Sequence, residues 1–329
     1  FLRASALTAV GVLAASCAQP TPQVIEKEVP VEKVVKETVV VEKQVPVEKV
    51  VKETVVVEKE VSVEKVVTAT PVPIRFKEAP MLAELVKAGK LPPVEERLPV
   101  NPLVAVGLDG IGKYGGTWRM GKSGQADTYA RGQVIQRGLL NIDHNLKIVN
   151  QLAESWDVSP DGREWTFHLR KGLKWSDGAP MTSEDFRFWY EDIVSNREYT
   201  PAHPTAYVSF VESERVPATL LPLDEYTFQY KFAKPKALFY YTGSIINDAP
   251  VAPAHFLKPF HPRYANKDAL SKMVADGKYD NWTQLFGDTN NISRTMERPT
   301  YEPWLEKNPW ADEFVWLERN PYFWEVDTE

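Results

Sequence analysis

The polar and apolar positions of this chain change period along its length. Between residues 29 and 60 valines recur every second position: Val29, Val31, Val35, Val39, Val41, Val45 and Val47 would share one face of an extended backbone. The segment "VPVEKVVKETVVVEKQ" (29–44) returns as "VPVEKVVKETVVVEKE" (45–60), and a third copy begins at Val61. A 16-residue repeat keeps a two-residue alternation but loses a heptad seam. Pro30 and Pro46 interrupt any continuous helix. A strand without a partner cannot bury its valine face. The pattern therefore predicts a solvated, mostly extended stalk over 18–73, with helical pieces between the prolines as the alternative. Its reach is roughly 40 Å as a coil, about 80 Å as a helix and at most about 190 Å fully extended.

Beyond the stalk the pattern becomes that of a folded domain. Pro80 suits the first turn of a helix, Met81, Leu82, Leu85 and Val86 form an apolar stripe, and Gly89 ends it. Residues 74–112 read as a lead-in around that helix. Thr117 to Met120 predicts a buried strand, entered through Gly115 and Gly116. Trp165, Phe167 and Leu169 alternate with polar neighbours, as do Tyr226, Phe228, Tyr230 and Phe232, so each run predicts a strand with one buried face. Asp161-Gly162 and Asp177-Gly178 are turns. Thr182 and Asp185 have capping-box spacing, and Phe186, Trp189, Tyr190 and Ile193 follow at helical spacing.

Composition narrows the function classes. The 329 residues are 43% hydrophobic and 26% charged, a globular balance. Ten Trp, thirteen Tyr and fourteen Phe imply a large core, an aromatic-lined cleft, or both. The net charge of −6, with no basic cluster on one element, argues against a nucleic-acid partner. The five histidines have no metal-ligand spacing, and no nucleophile motif is present, so the expectation is no enzyme, no cofactor and no metal. The stalk alone would also fit a structural envelope or adhesion protein. The globular part lacks the repeats and cell-wall motif which that reading requires.

The single cysteine, Cys17, follows a short apolar run from Ala4 to Ser16. That run is too short to span a bilayer and fits the core of a signal peptide. Leu13-Ala14-Ala15-Ser16-Cys17 resembles a bacterial lipobox, with Ala14 where leucine is usual. The resemblance implies lipidation of Cys17 and membrane anchoring. An ordinary signal peptide cut near Ser16 is the alternative. "FLR" at the start is compatible with either a general-secretory or a twin-arginine export signal, and its lack of Met implies an incomplete N-terminus.

The run "GLLNIDHNLKIVNQLAESWDVSPDGREWTFHLRKGLKWSDGAPMTSEDF" resembles the signature of family 5 of the extracellular solute-binding proteins. Gly138, Leu139, Asp143, Leu152–Trp156, Asp161-Gly162, Phe167, Leu169-Arg170, Gly172, Asp177-Gly178 and Thr182–Asp185 carry it. Asn150 and Gln151 stand where Pro-Gly is common. The "ERNPYFW" run, with Asn320, Pro321 and Trp324, agrees. The resemblance implies an α/β fold of the periplasmic-binding-protein type II, a clamshell of mixed sheets. Lobe I would comprise 113–125 and 233–329, the extra subdomain 126–232, and the second lobe would be absent.

The implied role is an extracytoplasmic binding protein of an ABC importer. Its partners would be a permease and ATPase, and its ligand an oligopeptide or, alternatively, an oligosaccharide. Ligand-binding candidates lie where strands end: Gly121, Ser123, Gly124 and Gln125, and Ile246, Asn247 and Asp248. Trp282, Tyr301, Trp304 and Trp310 could stack on sugar rings or pack in a core.

Overall fold

The computed structural model describes residues 76–107, 110–125, 127, 132, 137–244 and 249–328. Cys17, the signal segment and the valine-rich stalk fall outside the described residues. The first elements are α1 (Pro80–Lys87), α2 (Val94–Arg97) and the short strand β1 (Leu103–Val104). Gly89 follows α1 with a φ of 67°, the left-handed turn that its lack of Cβ allows. The expected stripe of α1 is narrower than its sequence suggests. Leu82 is buried against Ala79 and Leu91, whereas Met81 and Leu85 are exposed, because α1 rests on a small cluster edged by Tyr322.

A hairpin of β2 (Leu140–Ile142) and β3 (Ile148–Asn150) leads into β4 (Ala153–Val158) and β5 (Glu164–Leu169). After α3 (Ser183–Phe188) a second hairpin, β6 (Val208–Val211) and β7 (Glu214–Pro217), precedes β8 (Thr219–Asp224) and β9 (Thr227–Lys231). The four longer strands form one antiparallel sheet in the order β4-β5-β9-β8. Trp165 pairs with Tyr230, and Phe167 with Phe228. The alternation read from the sequence therefore puts four aromatics on one face. Phe167 stacks on Phe228 at 5.5 Å, and Phe186 of α3 stacks on Phe228 at 4.5 Å. Each ring buried this way contributes roughly 1.5–3 kcal/mol relative to exposure.

The helical spacing from Phe186 to Ile193 does not continue as one α-helix. Residues Trp189–Val194 form a π-helical turn. The wider turn splits the helix between two cores. Phe186, Tyr190 and Val194 join the sheet core, while Phe188 and Ile193 face a second cluster with Leu257 and Phe286. The helices that follow are α4 (Phe239–Ser244), whose Phe239 joins the sheet core, then α5 (Ala254–Leu257), α6 (Lys267–Asp276) and α7 (Trp282–Thr289), of which α5 and α7 carry the second cluster.

Asp185 holds these layers together. It is 4% exposed. Its Oδ2 accepts from the Thr182 amide at 2.9 Å and the Trp175 indole at 3.3 Å, and its Oδ1 from the Ala254 amide at 3.0 Å. Burial nevertheless raises its pKa above the ordinary carboxylate value, against the pull of those donors. The cap expected from Thr182 and Asp185 is present, and the same carboxylate also secures a distant loop.

The last elements are the hairpin β10 (Trp304–Glu306) with β11 (Leu317–Arg319), and β12 (Glu325–Val326), which pairs in parallel with β1. Buried Arg170 supports this junction. Its guanidinium donates to Gln151 O at 2.7 Å and Asn101 O at 2.8 Å, tying the main sheet to the lead-in. Burial lowers its pKa, while Glu154 and Glu325 oppose the shift. The described sheets, one parallel pair and four antiparallel, are interleaved with helices in an α/β fold.

Candidate functional site

The expected buried strand at 117–120 is absent. Residues 110–121 are exposed, and none of the described strands pairs with them. Alternating Thr, Trp and Met fit a strand, but strand formation requires a partner ladder. Instead, Gly115 and Gly116, with φ of 106° and 74°, bend the chain, and the segment lies along the β10–β11 hairpin.

Two anchor points fix that course. At one end the Arg319 guanidinium sits over the Tyr114 ring, 5.7 Å from its centroid. At the other, Lys122 Nζ lies 5.5 Å from the Trp310 ring centroid and donates to Trp310 O at 2.7 Å and to Asp312 O. The Trp310 indole donates back to Asp127 O at 2.8 Å. Tyr114 meeting Arg319, and Lys122 meeting residues 310 and 312, means the two segments run in opposite directions. Trp118 and Met120 on one segment, and Phe314 and Trp316 on the other, thus fall between the same anchors. Trp118 and Phe314 are each 72% exposed and Trp316 66%. The backbone of Phe314 and Trp316 is held while their rings face solvent. Asn308 Nδ2 donates to Phe314 O at 2.7 Å, and its Oδ1 accepts from the Trp316 amide at 2.9 Å.

Gly121, Ser123, Gly124 and Gln125 form the exposed turn at one end of this ledge. The Ser123 amide and hydroxyl both donate to Asp127 Oδ2, at 2.8 and 3.0 Å, which closes the turn. Gly121 and Gly124 have no atom within 4 Å of a built Cβ, so the space beside both is open. Ile246, Asn247 and Asp248 lie outside the described residues. Their neighbour Ala249 donates its amide to Tyr301 Oη at 2.8 Å and to Arg137 O at 3.0 Å.

Lys122, between two of the predicted residues, was not legible as an anchor, because its acceptors are backbone carbonyls without a sequence signature. Of the aromatics open to either role, Tyr301 and Trp310 are buried and belong to the packing, and Trp304 remains partly exposed.

Two His–Asp pairs lie elsewhere on the described surface. Asp157, His168 and Thr227 form a hydrogen-bonded line, with 3.0 Å from His168 Nε2 to Asp157 Oδ2 and 3.3 Å from Nδ1 to Thr227 Oγ1. They sit side by side on β4, β5 and β9. His255 Nε2 pairs with Asp177 Oδ2 at 2.8 Å on the surface. Among the described residues no three His, Cys, Asp or Glu side chains gather as a metal site, and no helix is long and apolar enough to cross a membrane.

The family model for bacterial extracellular solute-binding proteins, family 5 Middle, matches residues 147–328. A periplasmic α-galactoside-binding protein of Rhizobium meliloti is 31% identical over 265 residues, covering 74% of this chain and 36% of the relative. The periplasmic oligopeptide-binding protein OppA of Escherichia coli is 28% identical over 197 residues, covering 57% and 31%. The chain thus spans about a third of the length of these relatives. Among solved structures, an oligopeptide-binding protein OppA superposes with a TM-score of 0.70 at 41% identity, over 77% of this chain and 39% of that one. The periplasmic binding protein MelB of Agrobacterium fabrum C58, solved with stachyose, gives 0.56 at 29% identity, over 75% and 38%.

Proposed function

The chain belongs to family 5 of the bacterial extracellular solute-binding proteins, with their periplasmic-binding-protein type II fold, and on that premise we propose that it captures oligopeptides for an ABC importer. Capture takes place in an interlobe cleft, to which the ledge described here contributes one wall, and the cargo passes unchanged to the permease and ATPase. Gly121, Ser123, Gly124 and Gln125 meet the ligand backbone at the end of the ledge, and Ile246, Asn247 and Asp248 contribute from the second loop. Lobe I comprises 113–125 and 233–329, and 126–232 is the extra subdomain. Lipidated Cys17 tethers the protein to the outer side of the membrane, and residues 18–73 act as its stalk.

The observation that carries this reading is the pair of anchors that flank Trp118, Phe314 and Trp316, whose rings face solvent. Exposed rings on fixed backbone lose little entropy when they meet a ligand. The same rings favour a second reading, an oligosaccharide ligand, because flat aromatic faces pack against apolar ligand surfaces. Two relatives bear names or titles naming α-galactosides or stachyose, and others name oligopeptides.

Thermal-shift titration of the complete gene product with tri- to pentapeptides and with α-galactosides separates the two. A ligand at one hundred times its Kd stabilises by about 2.7 kcal/mol. A shift by peptides alone supports the first reading, a shift by sugars alone the second, and no shift by either opposes both.

A further inference from the structure

We infer that the cavity between the lead-in helices and the 319–327 turn is a binding site for a small dianion, held by Arg319 and Lys113 beside the ring of Tyr114. This site goes beyond the solute-capture reading and does not depend on it. The cavity measures about 280 Å³ and is walled by α1, α2 and the turn. That is below the roughly 300–1,000 Å³ of sites enclosing drug-sized ligands, so its occupant is small.

The walls are fixed. Arg97, buried beneath them, donates through Nε to Pro92 O at 2.9 Å, and its terminal nitrogens reach Pro321 O and Glu78. Asn320 Nδ2 donates to Glu302 O at 2.8 Å, which holds the turn from behind.

The charges inside are not balanced. Glu78 is spent on Arg97, and Glu325 pairs with Arg137 at 3.0 Å. Lys77 and Asp327 also line the cavity, and each is already engaged. Lys113 and Arg319 have no carboxylate partner among the described residues, and the Arg319 guanidinium lies against the Tyr114 ring. A guanidinium stacked on a ring keeps its forked N–H donors for an oxyanion. Lys113, which lines the same cavity, supplies the second positive charge. A dicarboxylate and inorganic phosphate share the chemistry this pair recognises.

The test is calorimetric titration of the full chain with succinate and, separately, with inorganic phosphate, at low ionic strength against a sodium chloride control. Saturable one-to-one binding of either anion is expected, and which of them binds identifies the source. Kd should rise at least tenfold in Arg319→Gln and in Lys113→Gln. Lys113 is exposed, so its substitution leaves folding intact even if Arg319→Gln does not fold. Binding no stronger than chloride for both anions, or unchanged affinity in Lys113→Gln, overturns the inference. No peptide or sugar is present in these titrations, so a negative result leaves the solute-capture reading standing, and the converse holds.

Discussion

The Lys122 ammonium lies over the Trp310 indole and donates to the carbonyl of the same residue at 2.7 Å. One side chain thereby holds two segments that are 188 positions apart. Without it the loop before β11 would be tied to the turn at 121–125 through the Trp310 indole and Asp127 O but not through the ammonium. Lys122→Met removes both donors and the charge while keeping the stem. The expected loss is about 1–2 kcal/mol. Amide hydrogen exchange should quicken at 308–316 and in the 118–125 turn, with little change in the four-stranded sheet.

Gly178 tests the fit of the last turn against the sheet domain. Its φ is 88°, and a Cβ placed there would sit 2.9 Å from Tyr322 Oη. Gly178→Ala therefore combines left-handed strain with a steric conflict. It should destabilise by about 1–3 kcal/mol. Tyr322→Phe in the same background removes the nearest atom and should recover part of the loss in a denaturant titration.

Asp185→Asn keeps the volume but not the acceptors. One oxygen can still serve Thr182 and Trp175, but the new amide nitrogen then faces the Ala254 N–H. The expected cost is about 1–3 kcal/mol. Exchange protection should fall at Ala254 as well as at the start of α3. A loss confined to α3 would show that Asp185 is only a cap.

Acid sensitivity has an identifiable source in Glu184. Two hydrogen bonds from Arg187, at 2.6 and 2.7 Å, and one from Lys258 at 3.1 Å hold its carboxyl at about 2 instead of 4.5. The folded value is below the unfolded one. The stabilisation is therefore complete above about pH 4.5 and is lost as pH falls towards 2. The carboxylate is 43% exposed, which limits the effect to under about 1 kcal/mol. Thermal melts of Glu184→Gln and the parent should differ at pH 7 and converge near pH 2.

The legible parts of this molecule are those whose cause is local. Trp165, Phe167 and Leu169 could be assigned to one buried face because period two is a property of the strand itself. The Thr182–Asp185 cap was legible for the same reason. Its second role, accepting from Ala254 69 positions away, was not. The strand expected at 117–120 failed because pairing depends on a partner that no local pattern reports. The π-helical turn after Phe188 was hidden by residues compatible with ordinary helical spacing. The ledge was half legible. The glycine- and serine-rich turn stood out, whereas the exposed rings of Phe314 and Trp316 looked like any strand aromatics.

Native mass spectrometry of the complete gene product, purified from cell envelopes and then mixed with a defined peptide pool, tests solute capture most directly. The expected spectrum shows one peptide per protein, released on denaturation with its mass unchanged, and a weaker adduct in Trp118→Ala. A protein that carries no adduct from the pool, or that returns peptides cleaved, would contradict the account.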